Sequence, residues 1–143
     1  ISEIPWYLLN GADGTHNVMF TLALGVATLM VLENLLQRSM VLGFLWTHGM
    51  AGLASWLGVD YEWRGIIVIV IFYLFNVYGH SFPYSRGMQF FSTFALMIHY
   101  GVIGAVMACM ILYLYNGKRG FVQGSIAKYG FYAFYPAHFI LFI

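Results

Sequence analysis

The chain has 143 residues, of which 62% are hydrophobic and 8% charged, with a formal net charge of +1. Soluble domains carry about 25% charged residues, so six basic and five acidic side chains cannot keep a surface of this size wet, and the apolar surplus must face lipid. The near-neutral charge and the lack of a basic stripe exclude nucleic acid as a partner, and the lone Cys109 excludes an intrachain disulfide and leaves no Cys/His cluster for a metal.

These properties predict an all-α fold, a polytopic transmembrane helical bundle with about five spans in a single domain over 1–143. The chain opens at Ile1 without an initiator Met and stops at Ile143 inside an apolar stretch, so it reads as part of a longer protein. Ile1–Pro5 lacks the basic n-region and cleavage site of a signal peptide. The turn signal Asp13-Gly14-Thr15 introduces the first span, at about 17–36. The second, at about 40–57, is interrupted by Thr47, His48 and Gly49. The third, at about 65–78, centres on the run Ile66–Ile71; that run has strand-like composition, but an open strand in lipid leaves backbone groups unpaired, which favours helix. The fourth, at about 88–115, is long enough to cross a bilayer with tilt, and the fifth, at about 129–143, is still apolar at Ile143. Small residues recur four apart at Thr21/Gly25, Ala51/Ser55 and Gly104/Ala108, a spacing that lets helices approach closely in lipid.

With five spans, the loops 58–64 and 116–128 share one side of the membrane. They carry Arg64, Lys118, Arg119 and Lys128 against Arg38 and Arg86 opposite, which makes the first group cytoplasmic.

Ionisable residues are costly within lipid and therefore point to function. His48 and His99 fall near the middles of their segments, and His16 sits at the mouth of the first. His138 follows Pro136, which lacks an N–H, frees a carbonyl one turn back and makes room for a polar pocket. Asp60, Glu62 and Arg64 stand together before the third segment, either as a local ion pair or as a group that orients a substrate. The turn Asn116-Gly117-Lys118-Arg119 caps the long fourth segment, or anchors a phosphate-bearing ligand. There is no Walker motif, GxGxxG or GxSxG, so nucleotide hydrolysis, dinucleotide folds and α/β-hydrolase sites find no support.

Five stretches, in order, resemble the TraX family, membrane proteins of conjugative transfer whose founding activity is N-acetylation of pilin. Ile1–Trp6 resembles the family's Ser-x-Ile-Pro-aromatic segment, and Asn17–Gly25 its Asn-Val-x-Phe-Thr-Leu-x-x-Gly helix start. Asp60-Tyr61 with Gly65 is similar to its Asp-Tyr-Gly-x-x-Gly element, although Glu62 stands where the family has glycine. Tyr115–Gly120 resembles its Asn-Gly turn, and Phe131–His138 its closing Phe-Tyr-x-Phe-Tyr-Pro-x-His. Earlier family helices are absent here.

The resemblance implies a bacterial inner-membrane acyltransferase that uses acetyl-CoA as co-substrate, without a metal, to acetylate an acceptor amine such as a pilin N-terminus. On that footing His138 is expected as base or acyl carrier, Asp60 to orient it or the acceptor, and His16 as reserve base. Lys118, Arg119, Asn116 and Arg64 are expected to hold the CoA. A non-catalytic subunit packed on other membrane proteins and a small transporter are the alternative readings.

Overall fold

The computed structural model describes residues 8, 16–79, 84–115 and 124–140. In chain order the helices are α1 (Val18–Arg38), α2 (Met40–Trp56), α3 (Glu62–Val77), α4 (Ser85–Met97), a 3-10 turn (Ile98–Tyr100), α5 (Val102–Leu114) and α6 (Ser125–Ile140). The all-helical expectation holds: among the described residues the β-type pairing is a single bridge between His16 and Val59.

Local chemistry sets the boundaries. Buried Asn17 caps α1, its Oδ1 accepting the Met19 N–H at 2.8 Å. Ser39, extended at φ −166° and ψ 133°, is all that separates α1 from α2. Left-handed Gly58 follows α2, at φ 63°.

α1, α2 and α3 pack on one another, α3 packs on α4, and α4 on α5; α6 shares no comparable interface with another described helix. The interior of the first three helices is built from small and hydroxylic side chains. Thr21, Gly25, Thr28, Gly43, Thr47, Ala51 and Ala54 are buried beside Leu32 and Ile66, while Met40 is 82% and Ile103 78% exposed. Small residues inside and large apolar ones outside are the pattern of helices that associate in lipid, where close backbone approach drives packing. Two of the buried hydroxyls are satisfied within their own helices: Thr28 Oγ1 donates to Leu24 O at 2.7 Å and Thr47 Oγ1 to Gly43 O at 2.9 Å.

Of the three small-residue pairs, Thr21/Gly25 forms the α1–α3 contact: a methyl on Gly25 would overlap Ile69, and one on Gly65 would lie 2.5 Å from Thr21 Cγ2. Ser55 and Gly104 are exposed, so the other two pairs do not form such seams. α1 is long and apolar enough to cross a membrane, about 32 Å at 1.5 Å per residue, and α5 is a shorter apolar helix.

One expected element is corrected. The stretch 88–115 is not a single long helix but a hairpin of α4 and α5. The chain leaves α4 through the 3-10 turn and reverses at Gly101, whose φ of +129° lies where side chains are strained. Cys109 Sγ approaches Phe90 O at 3.8 Å, and the Phe90 and Tyr113 rings are 6.2 Å apart, as an antiparallel pair requires.

The hairpin changes the sides of the bundle. Tyr100 meets Tyr61, so the α4–α5 turn lies at the end that holds His16 and Asp60. Tyr115 lies with Asn76, Arg86 and Gln89 at the other end, with Arg38 close to the Met40 start of α2. Tyr115 therefore stands at the end opposite Asp60, and the loop 116–123, whose side the sequence reading assigned, lies outside the described residues.

Candidate functional site

The α2–α3 connection gathers the candidate residues that the structure describes. His16 and Val59 form a short parallel bridge, in which the His16 N–H donates to Gly58 O at 2.9 Å and the Asp60 N–H to His16 O at 2.8 Å. Thr21, in the first turn of α1, donates its hydroxyl to Asp60 O. These bonds hold the segment before α1 against the start of α3, so His16 and Asp60, 44 positions apart in sequence, become neighbours along the backbone.

The Asp60 carboxylate is half-buried, and its Oδ1 accepts the Tyr61 N–H at 3.0 Å. Burial raises its pKa above the ordinary carboxylate range, and the Tyr61 bond opposes the rise without cancelling it. A carboxyl held this way is a better proton acceptor at neutral pH than a free one. The Tyr61 phenol is raised as well, first by burial and then by the charge of Asp60.

The backbone here is unusual. Tyr61 (φ 62°) and Glu62 (φ 46°) are consecutive left-handed residues, and among the described residues no other non-glycine has positive φ. Such conformations cost about 1–3 kcal/mol each and cluster at functional sites. Gly65 permits the arrangement: a Cβ there would lie 3.0 Å from Tyr61 Cβ as well as against Thr21.

Aromatic and cationic groups close the site. The Tyr61 and Tyr100 rings meet edge to face at 5.1 Å and 71°. The Arg64 guanidinium lies 4.7 Å from the Trp63 ring centroid and 5.8 Å from that of Tyr100. Its Nη1 is 3.4 Å from Glu62 Oε2, a solvent-facing pair of little stabilising value, which matches the local ion pair read from the sequence.

His16, Asp60 and Arg64 are thus brought to one end of the bundle. Asn116, Lys118 and Arg119 lie outside the described residues; Tyr115, which precedes them, stands at the end of the bundle opposite Arg64. His138 is on α6, and its side chain lies outside the described residues. His48 is exposed at the middle of α2 with Nδ1 2.9 Å from Phe44 O, whereas His99 is in the 3-10 turn at the Asp60 end, so the two do not line one path. Tyr100 was not singled out from the sequence. The available signal was the polar and turn-forming triplet His99-Tyr100-Gly101 inside an otherwise apolar run.

The whole chain, residues 1–143, matches the family described as TraX protein. A curated relative, "Probable fimbrial assembly protein FimC, serogroup H1" of Dichelobacter nodosus, is 28% identical over 145 aligned residues, which cover 89% of this chain and 54% of the relative. The chain therefore spans about half the length of that relative. No solved structure matches. In agreement with the five ordered motifs from Ile1 to His138, the chain belongs to the TraX family.

Proposed function

We propose that the chain is a polytopic membrane acyltransferase of pilus assembly, seated in the bacterial inner membrane, that transfers acetyl from acetyl-CoA to an amine such as a pilin N-terminus. The observation that carries this reading is the convergence of His16, half-buried Asp60 and Arg64 with Tyr61 and Tyr100 around a strained turn. Family membership and the relative's name as a fimbrial assembly protein support the setting. Large exposed apolar side chains around a small-residue core support the membrane, as do rings at both ends of the bundle: Trp56, Tyr61, Trp63 and Tyr100 at one, Tyr78, Tyr84, Tyr113 and Tyr115 at the other.

In the proposed reaction the acceptor amine gives a proton to a base, and its nitrogen attacks the thioester carbonyl carbon. The C–S bond breaks, and the CoA sulfur leaves as the thiol once it regains a proton. Asp60 is suited to hold the acceptor ammonium and lower the cost of its approach, with His16 beside it to take the proton. Arg64 and the Tyr100 hydroxyl are the donors at hand for the developing oxyanion. His138 remains proposed as base or acyl carrier, and Asn116, Lys118 and Arg119 as part of the grip on CoA.

The helix α6, which shares no broad interface with another described helix and exposes Ile126 at 91% with Tyr129 and Tyr132, favours a second reading as a packing subunit of a larger membrane assembly. Thermal unfolding of the purified protein in detergent separates the two. Acetyl-CoA at about 100 times its dissociation constant should add about 2.7 kcal/mol of stability, and less to the Lys118→Ala/Arg119→Ala variant. An unchanged transition in well-folded protein would favour the packing subunit.

A further inference from the structure

At the end of the bundle away from Asp60, α3, α4 and α5 enclose a pocket of about 220 Å³. Its lining differs from that of the apolar grooves elsewhere on the bundle, because Asn76, Arg86, Gln89 and Tyr115, which carry amide, guanidinium and phenol donors, line it together with Phe72, Phe90 and Leu112. Arg86 and Gln89 are one turn apart on the first two turns of α4, Asn76 is in the last turn of α3, and Tyr115 follows α5. Three elements thus place donor-bearing residues around one small volume, and among the described residues no carboxylate lines it. That donor set suits an anion with several oxygens.

The distribution of charge says from which side such an anion arrives. With α4 and α5 as a hairpin, Arg38 and Arg86 lie at the pocket end, and Lys118, Arg119 and Lys128 follow Tyr115 in the sequence between α5 and the first turn of α6. Arg64 stands at the Asp60 end. Among the described residues Arg38 and Arg86 thus stand against Arg64, and Lys118 and Arg119 follow the pocket's Tyr115 by three and four positions in the sequence. Short loops rich in Lys and Arg stay in the cytoplasm.

We infer that the Asn76–Arg86–Gln89–Tyr115 pocket is a cytoplasm-facing site for the phosphate groups of the acyl donor, and that Asp60 lies on the opposite face of the membrane. The inference rests on the membrane acyltransferase reading for the donor's identity, while the pocket and the charge division stand apart from it. It separates the donor's phosphates from the acceptor end by the length of α3, about 24 Å for 16 residues. An acceptor that meets Asp60 is then an exported chain rather than a cytoplasmic one.

Single-cysteine labelling tests both halves at once. In a Cys109→Ser background, Gln89→Cys and Glu62→Cys are each exposed to a membrane-impermeant maleimide in right-side-out and inverted vesicles, with and without acetyl-CoA, which has no free thiol. The Gln89→Cys protein should label in inverted vesicles alone and, under saturating acetyl-CoA, about tenfold more slowly; adding Arg86→Gln should remove that protection. The Glu62→Cys protein should label in right-side-out vesicles alone, at a rate that acetyl-CoA leaves unchanged. Labelling of Gln89→Cys from the outside would overturn the orientation, and labelling from the inside without protection would overturn the pocket. Acetylation of an acceptor peptide is measured in the same vesicles. Protection without acetylation would retain the phosphate site and sink the acyltransferase reading, whereas acetylation without protection would do the reverse.

Discussion

The contact between α1 and α3 and the outer face of α5 use glycine in opposite ways. In α1–α3, Gly25 and Gly65 sit where helices touch, and an added methyl would collide with Ile69 in one case and with Thr21 and Tyr61 in the other. In α5, Gly104 is exposed with nothing within 4 Å of a built Cβ. The first is a seam closed by small residues, so its geometry, and with it the Asp60 turn, is set by contacts that tolerate no extra atom. The second belongs to a hairpin whose outer surface is exposed among the described residues. The same residue type in the same hydropathy context thus fixes a site at one contact and leaves an exposed surface at the other.

Gly65→Ala should break this contrast most sharply. It pushes α3 off α1 at the turn that carries Asp60, and overpacking of this kind costs about 1–3 kcal/mol. Thermal unfolding in detergent should show a clear drop. Trp46→Phe, which removes the 3.1 Å bond from the indole N–H to Thr28 O between α2 and α1, should cost about 1 kcal/mol in the same assay. Gly104→Ala should go the other way, raising stability by up to about 1 kcal/mol, because alanine is the better helix former and meets nothing. A loss there would mean that α5 carries a seam as well.

A smaller effect is expected at Glu62. It occupies the position where the family's Asp-Tyr-Gly element has glycine, and its φ of 46° is one that glycine adopts without strain. Glu62→Gly should relieve about 1–2 kcal/mol of left-handed strain and give back part of it as chain entropy, for a net gain of about 0.5 kcal/mol by unfolding measurements. The lost pair with Arg64 is exposed and weighs little.

The pH dependence of stability probes the same turn. Burial raises the folded-state pKa of Asp60, so this group contributes stability at pH below its unfolded value and loses that contribution as pH rises through the raised folded value. Unfolding midpoints should therefore fall across the weakly acidic range in the parent protein and fall less in Asp60→Asn, whose side chain still accepts the Tyr61 N–H. Parallel curves would mean that the carboxyl is not desolvated.

Much of the fold can be read from the residues. Asp13-Gly14-Thr15 and Asn17 mark the start of α1, and the polar group 58–64 marks the turn into α3. The α4–α5 hairpin could not be read this way, because hydropathy stays high through Gly101 and a single glycine with φ of +129° leaves little trace in a window average. That one reversal places Tyr115 at the end opposite Asp60. Asp60 and Arg64 were legible as a local cluster, being four residues apart. The bridge that adds His16 depends on backbone hydrogen bonds, and the arrival of Tyr100 depends on the hairpin; neither has a signature in spacing.

The most direct test of the Asp60 turn as the working site is acetyl transfer from labelled acetyl-CoA to a peptide with a free N-terminal amine. It compares membranes that carry the parent protein with membranes that carry Asp60→Asn, expression and unfolding temperature being matched. Loss of the carboxylate should slow transfer by about 100-fold or more, the usual weight of a positioned acid–base group. Transfer by Asp60→Asn within about threefold of the parent, about 0.65 kcal/mol at 1.36 kcal/mol per decade, would contradict the assignment of this turn as the site.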